Sequence, residues 1–268
     1  MTDSKPSRAV AIVGGATAGA EVAARLADRG IQTVVFEKNT RPFGKIEDGL
    51  PRWHEALRNK EYEAIRTKLS RPLVEFVPET RIGEDIPFED LVGEWGFTSV
   101  VLANGAWWDR PLPIEGSEDY VNKGLIYQNP FVIAFNHAED SSWSGETPEI
   151  IDGSMVIGGG LASIDVAKII TLTCTQRELA KRGIEVEINL LEVKGIPKIL
   201  AAHDLTWEDL GLKGATIYYR RRVEDMPLVE IPAGADEARV AKVKKSRQTI
   251  LDKATKKTKK RRKGGKVA

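Results

Sequence analysis

Cysteine is almost absent from this chain of 268 residues. Cys174 stands alone, which excludes an intramolecular disulfide, a CxxC redox pair and any iron–sulfur or zinc site built on several thiolates. It reads as a small apolar residue buried on a helix. Histidine is scarce too, with three residues and no HExxH spacing, so a metal hydrolase is not supported. The Gly-x-Ser-x-Gly elbow of a serine hydrolase is missing. No apolar run reaches 18 residues, so no membrane span and no membrane partner are expected. The start, Met1-Thr-Asp-Ser-Lys-Pro-Ser-Arg8, lacks the apolar core of a signal peptide, and a cytoplasmic location is expected.

The formal net charge of +1 hides an asymmetry. From Lys242 onward there are 13 Lys and Arg against one acid, Asp252, so the body is acidic and the tail basic. No aromatic residue interleaves with that tail. It allows electrostatic association but no base readout, so no specific nucleic-acid partner is expected.

Ala9-Val-Ala-Ile-Val13 is a short apolar run that ends in Gly14-Gly15, the mark of a buried parallel strand. Helical spacing follows from Ala18 to Asp28, then a second buried strand from Thr33 to Glu37. Residues Glu55 to Leu69 predict a charged helix, Leu73 to Val77 a strand, Phe88 to Trp95 a short helix, and Ser99 to Ala103 a strand closed by Asn104-Gly105. A second series begins with a strand at Ser154 to Ile157 and a helix from Ala162 to Arg182. Strands at Val186 to Glu192 and Ala215 to Tyr219 follow, with a helical stretch from Ile199 to Leu212 between them. Beyond Pro232 a polar helix leads into a disordered Lys/Arg run.

Alternation of strand and helix twice over predicts an α/β chain of two Rossmann-like dinucleotide-binding units. The expected division is a first domain over 1–110, a connection over 111–150, a second domain over 151–231, and the polar helix and tail over 232–268.

A dinucleotide pyrophosphate needs a tight turn off a strand, backbone open to close approach, and N–H groups at a helix N-terminus. Gly14-Gly15-Ala16-Thr17-Ala18-Gly19 offers these, with Ala16 in place of the middle glycine. Glu37 ends the second strand, 23 residues after Gly14, where a carboxylate can accept both ribose hydroxyls. Gly158-Gly159-Gly160-Leu161-Ala162-Ser163 fits the same template with Ser163 in the third position. Here the ribose-reading strand ends in Arg220-Arg221-Arg222, whose guanidinium groups suit a 2′-phosphate, so NADPH is favoured over NADH. One such motif suggests a dehydrogenase; two suggest a flavin enzyme that also binds a nicotinamide nucleotide. The plainer readings are a packing turn for the first motif and a solvated basic strand end for the arginines. Residues 183–214 would be an insertion within the second unit.

Further residues carry a resemblance: Glu37-Lys38, Arg41-Pro42-Phe43-Gly44-Lys45, Gly49-Leu-Pro51, Ala103-Asn104-Gly105-Ala106, Asp165-Val-Ala167 and Arg220-Arg221, in this order with the two glycine turns. Over about residues 8 to 230 the chain resembles the adrenodoxin reductase and glutamate synthase small-subunit group of FAD-dependent ferredoxin–NADP reductases. The resemblance implies FAD on Gly14, Gly15, Ala16, Ala18, Gly19, Glu37 and Lys38, with Gly44 and Lys45 along the flavin side of the cofactor. Thr80 would contact the adenine through its backbone, and Asn104-Gly105 would close over the pyrophosphate. His54 would stand near the isoalloxazine as the catalytic candidate. NADPH would lie on Gly158, Gly159, Gly160, Leu161, Ala162, Ser163, Arg220 and Arg221. The implied reaction passes hydride from NADPH to the flavin and electrons to a ferredoxin-like or other acceptor. The group also has a C-terminal segment with Gly-Trp and Gly-Pro-x-Gly motifs beside the flavin. This chain instead runs from Arg222 into the stretch Lys256 to Lys263. The expectation is an FAD unit incomplete at the C-terminus. The alternative is a truncated nucleotide-binding remnant without activity.

Overall fold

A computed structural model describes residues 9–141 and 143–255. The stretch Met1 to Arg8 and the Lys256 to Lys263 run lie outside these residues. The chain divides into two compact units, the first ending at Pro148 and the second beginning at Glu149.

The first unit is built on a four-stranded parallel sheet. Its strands are β1 Ala9–Val13, β2 Gln32–Phe36, β3 Val74–Val77 and β4 Ser99–Leu102, in the order β3-β2-β1-β4. Parallel neighbours need crossovers. Helix α1 Thr17–Ala27 joins β1 to β2, while α2 Lys45–Asp48 and α3 Glu55–Leu69 lie between β2 and β3. A short helix, α4 Asp90–Gly93, precedes β4. The register sets Val13 opposite Phe36 and Leu102, so all three strands end level beside the first glycine turn.

Alternation along β1 sorts its side chains onto two faces. Val10 and Ile12 pack with Ala20 and Ala23 of α1 and with Ile65 and Leu69 of α3. Ala11 packs on the other face with Phe36, Leu91 and Phe97. The Phe36 ring meets those of Trp95 and Phe97 edge-on, each at 6.0 Å, a geometry worth about 0.5–1.5 kcal/mol per pair beyond area burial. Small residues at 20 and 23 let α1 lie close to the sheet, where a longer side chain would hold it off.

The segment read as a connection is more ordered than its Pro, Gly and acid content suggests. Helix α5 Gln128–His137 buries Asn129, Phe131, Val132, Ala134 and Phe135. The Asn136 amide donates to the carbonyls of Glu47, Asp48 and Leu50 at 2.9–3.0 Å, which ties α5 to the end of α2. The compact unit therefore reaches Pro148.

The second unit has a parallel pair, β5 Met155–Ile157 and β6 Thr216–Tyr218, in the register Met155–Thr216, Val156–Ile217, Ile157–Tyr218. The long crossover helix α6 Leu161–Ala180 leaves directly from the second glycine turn. Ile164 of α6 packs with Met226 and Leu228, and Ile217, Tyr219 and Ile250 lie against them. Cys174 is buried on α6 as expected.

The expected strand at Val186 to Glu192 is not one: α7 Ile188–Lys194 occupies most of it. Ile188 and Leu191 are both buried, whereas Leu190 and Val193 face solvent, a spacing of three that only a helix supports. Lys168 on α6 meets Glu192 on α7 at 2.5 Å. The helical stretch at Ile199 to Leu212 begins earlier and ends sooner, as α8 Ile196–Ala201. Pro197 is tolerated in its first turn, and Asp204, at φ 56°, has left the helix. The polar helix beyond Pro232 is present as α9 Glu237–Thr255, held at Val243, which is buried, and by Arg247 donating to the Val229 carbonyl at 2.7 Å.

Candidate functional site

The first glycine turn is crowded on every side but one. Gly14 has φ 100°, and a Cβ there would lie 2.6 Å from the Ala103 carbonyl oxygen at the end of β4. A Cβ on Gly15 would come within 2.9 Å of Pro42 and 3.1 Å of the Phe76 ring, and one on Gly19 would overlap the Gly14 carbonyl oxygen. Chain packing alone demands these glycines. The open side is the start of α1, where Thr17 and Ala18 are exposed and no side chain caps the helix at Ala16. Uncapped N–H groups at a helix start are an anion site.

Ala16, the departure from the glycine pattern, has a counterpart. Gly44 takes φ 47°, and a Cβ on it would sit 3.0 Å from the Ala16 methyl. The missing side chain at 44 makes room for the extra one at 16. A Gly44→Ala chain is expected to lose about 1–2 kcal/mol from the left-handed backbone alone, read as a shift in the urea midpoint. Stability equal to the parent's would mean that position 44 carries a side chain without backbone strain and without crowding the Ala16 methyl.

Glu37 is 5% exposed and holds the turn from β2. One carboxylate oxygen accepts the Gly15 N–H at 2.9 Å and the other accepts the Asn39 N–H at 3.1 Å. Each oxygen keeps a lone pair for a further donor such as a ribose hydroxyl. Thr80 lies next to this group, but its N–H already donates to the Glu37 carbonyl at 2.9 Å. Of its backbone, the carbonyl remains for an adenine.

Lys38, Lys45, Asn104 and Gly105 converge on a residue that the sequence reading did not single out, Trp107. Its indole N–H donates to the Asn104 carbonyl at 2.9 Å. The Lys38 ammonium lies 4.3 Å from the ring centroid and that of Lys45 5.8 Å away. Lys45 also donates to the buried Asn129 at 3.0 Å, and Asn129 donates to the Trp107 carbonyl at 3.2 Å. The result is a cationic, aromatic rim beside the first turn, suited to a pyrophosphate. Its only signal in the sequence is a tryptophan two residues past Asn104-Gly105.

A cleft of about 470 Å³ adjoins this rim, lined among others by Lys38, Thr40, Arg41, Glu47, His137 and Trp143. The His137 ring stacks on Trp143 at 5.8 Å, and its Nε2 lies 3.1 Å from the Asp48 carboxylate. Burial pushes the Glu47 carboxyl above its ordinary range, against the opposing pull of Arg41, with which it is paired. His54 stands at the residue before α3, half-buried, its ring 6.0 Å from that of Trp53.

The second turn repeats the plan with different side chains. A Cβ on Gly158 would lie 2.6 Å from the Ser163 hydroxyl, so serine fills the third position only because the first is bare. Gly160 has open space around it and starts α6, where Leu161 and Ala162 are exposed. A Cβ on Gly159 would run into the Tyr219 ring. Arg220 is exposed and pairs with none of the described residues. Arg221 donates from Nε to the Tyr219 hydroxyl at 2.8 Å. Arg222 pairs with Asp225 at 3.0 Å, and that hydrogen bond holds the Asp225 carboxyl below its ordinary range. Two of the three arginines therefore stay available to an anion.

A family model described as pyridine nucleotide-disulphide oxidoreductase matches residues 8–209. The glutamate synthase [NADPH] small chain of Bacillus subtilis is 31% identical over 166 residues, which cover 60% of this chain and 32% of that one. The corresponding chain of Mycobacterium tuberculosis is 30% identical over 160 residues, 58% of this chain and 32% of that one. The chain thus matches about a third of the length of these curated relatives. Among solved structures, Mycobacterium tuberculosis FprA in complex with NADPH superposes with a TM-score of 0.63 at 20% identity, over 96% of this chain and 57% of that one. At that identity the likeness establishes the fold. No described helix is long and apolar enough to cross a membrane.

Proposed function

The chain belongs to the pyridine nucleotide-disulphide oxidoreductase family, and on that premise we propose that it is an NAD(P)H-dependent flavin oxidoreductase with FAD on the first turn and NADPH on the second. One observation carries the reading. Two glycine turns leave parallel strands in the same way, one answered by a buried acid, Glu37, and the other by two available arginines, Arg220 and Arg221.

Bound together, the two groups would supply hydride transfer from nicotinamide to flavin and onward electron transfer to a ferredoxin-like or other redox partner. The chain's own residues bind and orient. Glu37 fixes the Gly15 N–H and offers oxygen lone pairs to the ribose of the flavin nucleotide. The start of α1, with Lys38 and Lys45 on Trp107, neutralises its pyrophosphate. The start of α6 does the same for the nicotinamide nucleotide, and the arginines meet its 2′-phosphate with charge-assisted bonds. We assign His54 to the flavin ring on the strength of the resemblance.

The test is a titration of the purified chain with FAD, followed by flavin fluorescence, and then of its NADPH-driven reduction of ferricyanide. The parent should bind FAD. Glu37→Gln replaces one carboxylate oxygen that a ribose hydroxyl would use with an amide NH₂, a loss of about 1–3 kcal/mol, so its FAD dissociation constant should rise about fivefold to 150-fold. A parent that binds no flavin would sink the assignment of the first turn. Flavin binding without NADPH-driven turnover would support a nucleotide-binding chain that does no redox work.

A further inference from the structure

We infer that Tyr219 is a specificity-determining residue of the second turn, selecting a 2′-phosphorylated nucleotide both by replacing the carboxylate that an unphosphorylated ribose needs and by aiming Arg221. This rests on the assignment of NADPH to the second turn.

The two units supply their own alignment. In the first, the Gly14 N–H donates to the Phe36 carbonyl at 2.8 Å; in the second, the Gly158 N–H donates to the Tyr218 carbonyl at 3.0 Å. Phe36 and Tyr218 are the last residues of their strands, opposite Val13 and Ile157, the last residues of β1 and β5. The next residue in each chain trace is therefore equivalent, and it is Glu37 in one and Tyr219 in the other.

The two side chains solve different problems from the same place. Glu37 reaches over its turn and accepts the Gly15 N–H, with lone pairs left for ribose hydroxyls. Tyr219 lays its ring on Gly159, the counterpart of Gly15, in the space that any side chain at 159 would fill. Its hydroxyl accepts Arg221 Nε at 2.8 Å and is 3.4 Å from the Asp225 carbonyl, to which it donates. The Arg221 guanidinium carbon stands 5.5 Å from the ring centroid. A phenol seated on bare backbone thus holds a guanidinium in one orientation, and a guanidinium so fixed loses less entropy when it binds a phosphate. A carboxylate here would repel a 2′-phosphate and draw Arg221 to itself. Arg222 hydrogen-bonds the Asp225 carboxylate, while Arg221 donates to the phenol.

The experiment is isothermal titration of the parent, Tyr219→Glu and Tyr219→Phe chains with NADP⁺, NAD⁺ and adenosine 2′,5′-bisphosphate, with circular dichroism to confirm folding. The parent should prefer NADP⁺. Tyr219→Glu should lower its ratio of NADP⁺ to NAD⁺ affinity by about a hundredfold, because like charges meet at the phosphate. Tyr219→Phe keeps the ring on Gly159 and loses only the hydroxyl. It should weaken NADP⁺ and the bisphosphate about tenfold and NAD⁺ less than about twofold. A parent that binds NADP⁺ no better than NAD⁺ overturns the coenzyme assignment, and this inference with it. A parent that prefers NADP⁺, together with folded variants of unchanged preference, overturns the role of Tyr219 alone.

Discussion

A Gly19→Ala chain is expected to bind no FAD and to lose about 3 kcal/mol or more of stability in the first unit. The reason is local and rigid. A Cβ on Gly19 would overlap the carbonyl oxygen of Gly14 and lie 3.4 Å from the Ile12 side chain. Neither neighbour is a flexible side-chain end. The carbonyl belongs to the turn itself, and Ile12 is fully buried in β1. Relief requires α1 to lift off the sheet, which would part Ala20 and Ala23 from Val10 and Ile12. Overpacking of this kind costs about 1–3 kcal/mol and more where backbone must move. The same shift would pull the start of α1 from the place where a pyrophosphate binds. Gly30→Ala is the control, since Gly30 has a left-handed φ of 73° but nothing within reach of a Cβ. It should cost only about 1 kcal/mol and leave FAD binding intact. Urea unfolding followed by tryptophan fluorescence, with FAD titration beside it, reads both. A Gly19→Ala chain as stable as Gly30→Ala would show that α1 does not need its close approach to β1.

The parts of this molecule legible in its sequence are those where one periodicity is unopposed. Ala9–Val13 is an apolar run between Arg8 and the pair Gly14-Gly15, and Glu55–Leu69 is a charged helix whose inward face shows two buried apolar positions, Ile65 and Leu69. Each element has the bounds expected. Val186 to Glu192 failed because Val-Glu-Ile alternates like a strand, while the burial that decides the matter, at Ile188 and Leu191, depends on α6. Helix α5 was missed because Pro130 falls in its first turn and the acid-rich, proline-rich residues before it suggest a linker. The glycine turns were legible as motifs, and so were Glu37 and the arginine pair. The roles of Trp107 and Tyr219 were not. A tryptophan becomes part of a cationic rim only when Lys38, Lys45 and Asn104 arrive from three different segments. A tyrosine becomes the counterpart of Glu37 only when two strand registers are laid side by side.

Changing Arg220 and Arg221 together to alanine should weaken NADPH binding by about a hundredfold to ten-thousandfold and NADH binding by no more than a few-fold. A charge-assisted bond of this kind contributes about 1.5–3 kcal/mol, and two of them set the range. The sum is an upper bound, because both groups act on one phosphate and neighbouring losses do not add. The structure separates the two contributions. Arg220 is exposed and unpaired among the described residues, so its loss removes charge that nothing else uses. Arg221 is already held by the Tyr219 hydroxyl, so its loss removes a positioned donor and should cost more per residue. Salt offers a second readout. The parent's preference for NADPH should shrink as ionic strength rises and the exposed arginines are screened, whereas the double variant has little preference left to lose. Arg222→Ala is the contrast, since Arg222 is engaged with Asp225 and its removal should leave the preference nearly unchanged. Equal weakening of both nucleotides in the double variant, or a larger effect at Arg222 than at either neighbour, would mean that these arginines do not read a 2′-phosphate. The second turn would then bind a nucleotide without telling NADPH from NADH.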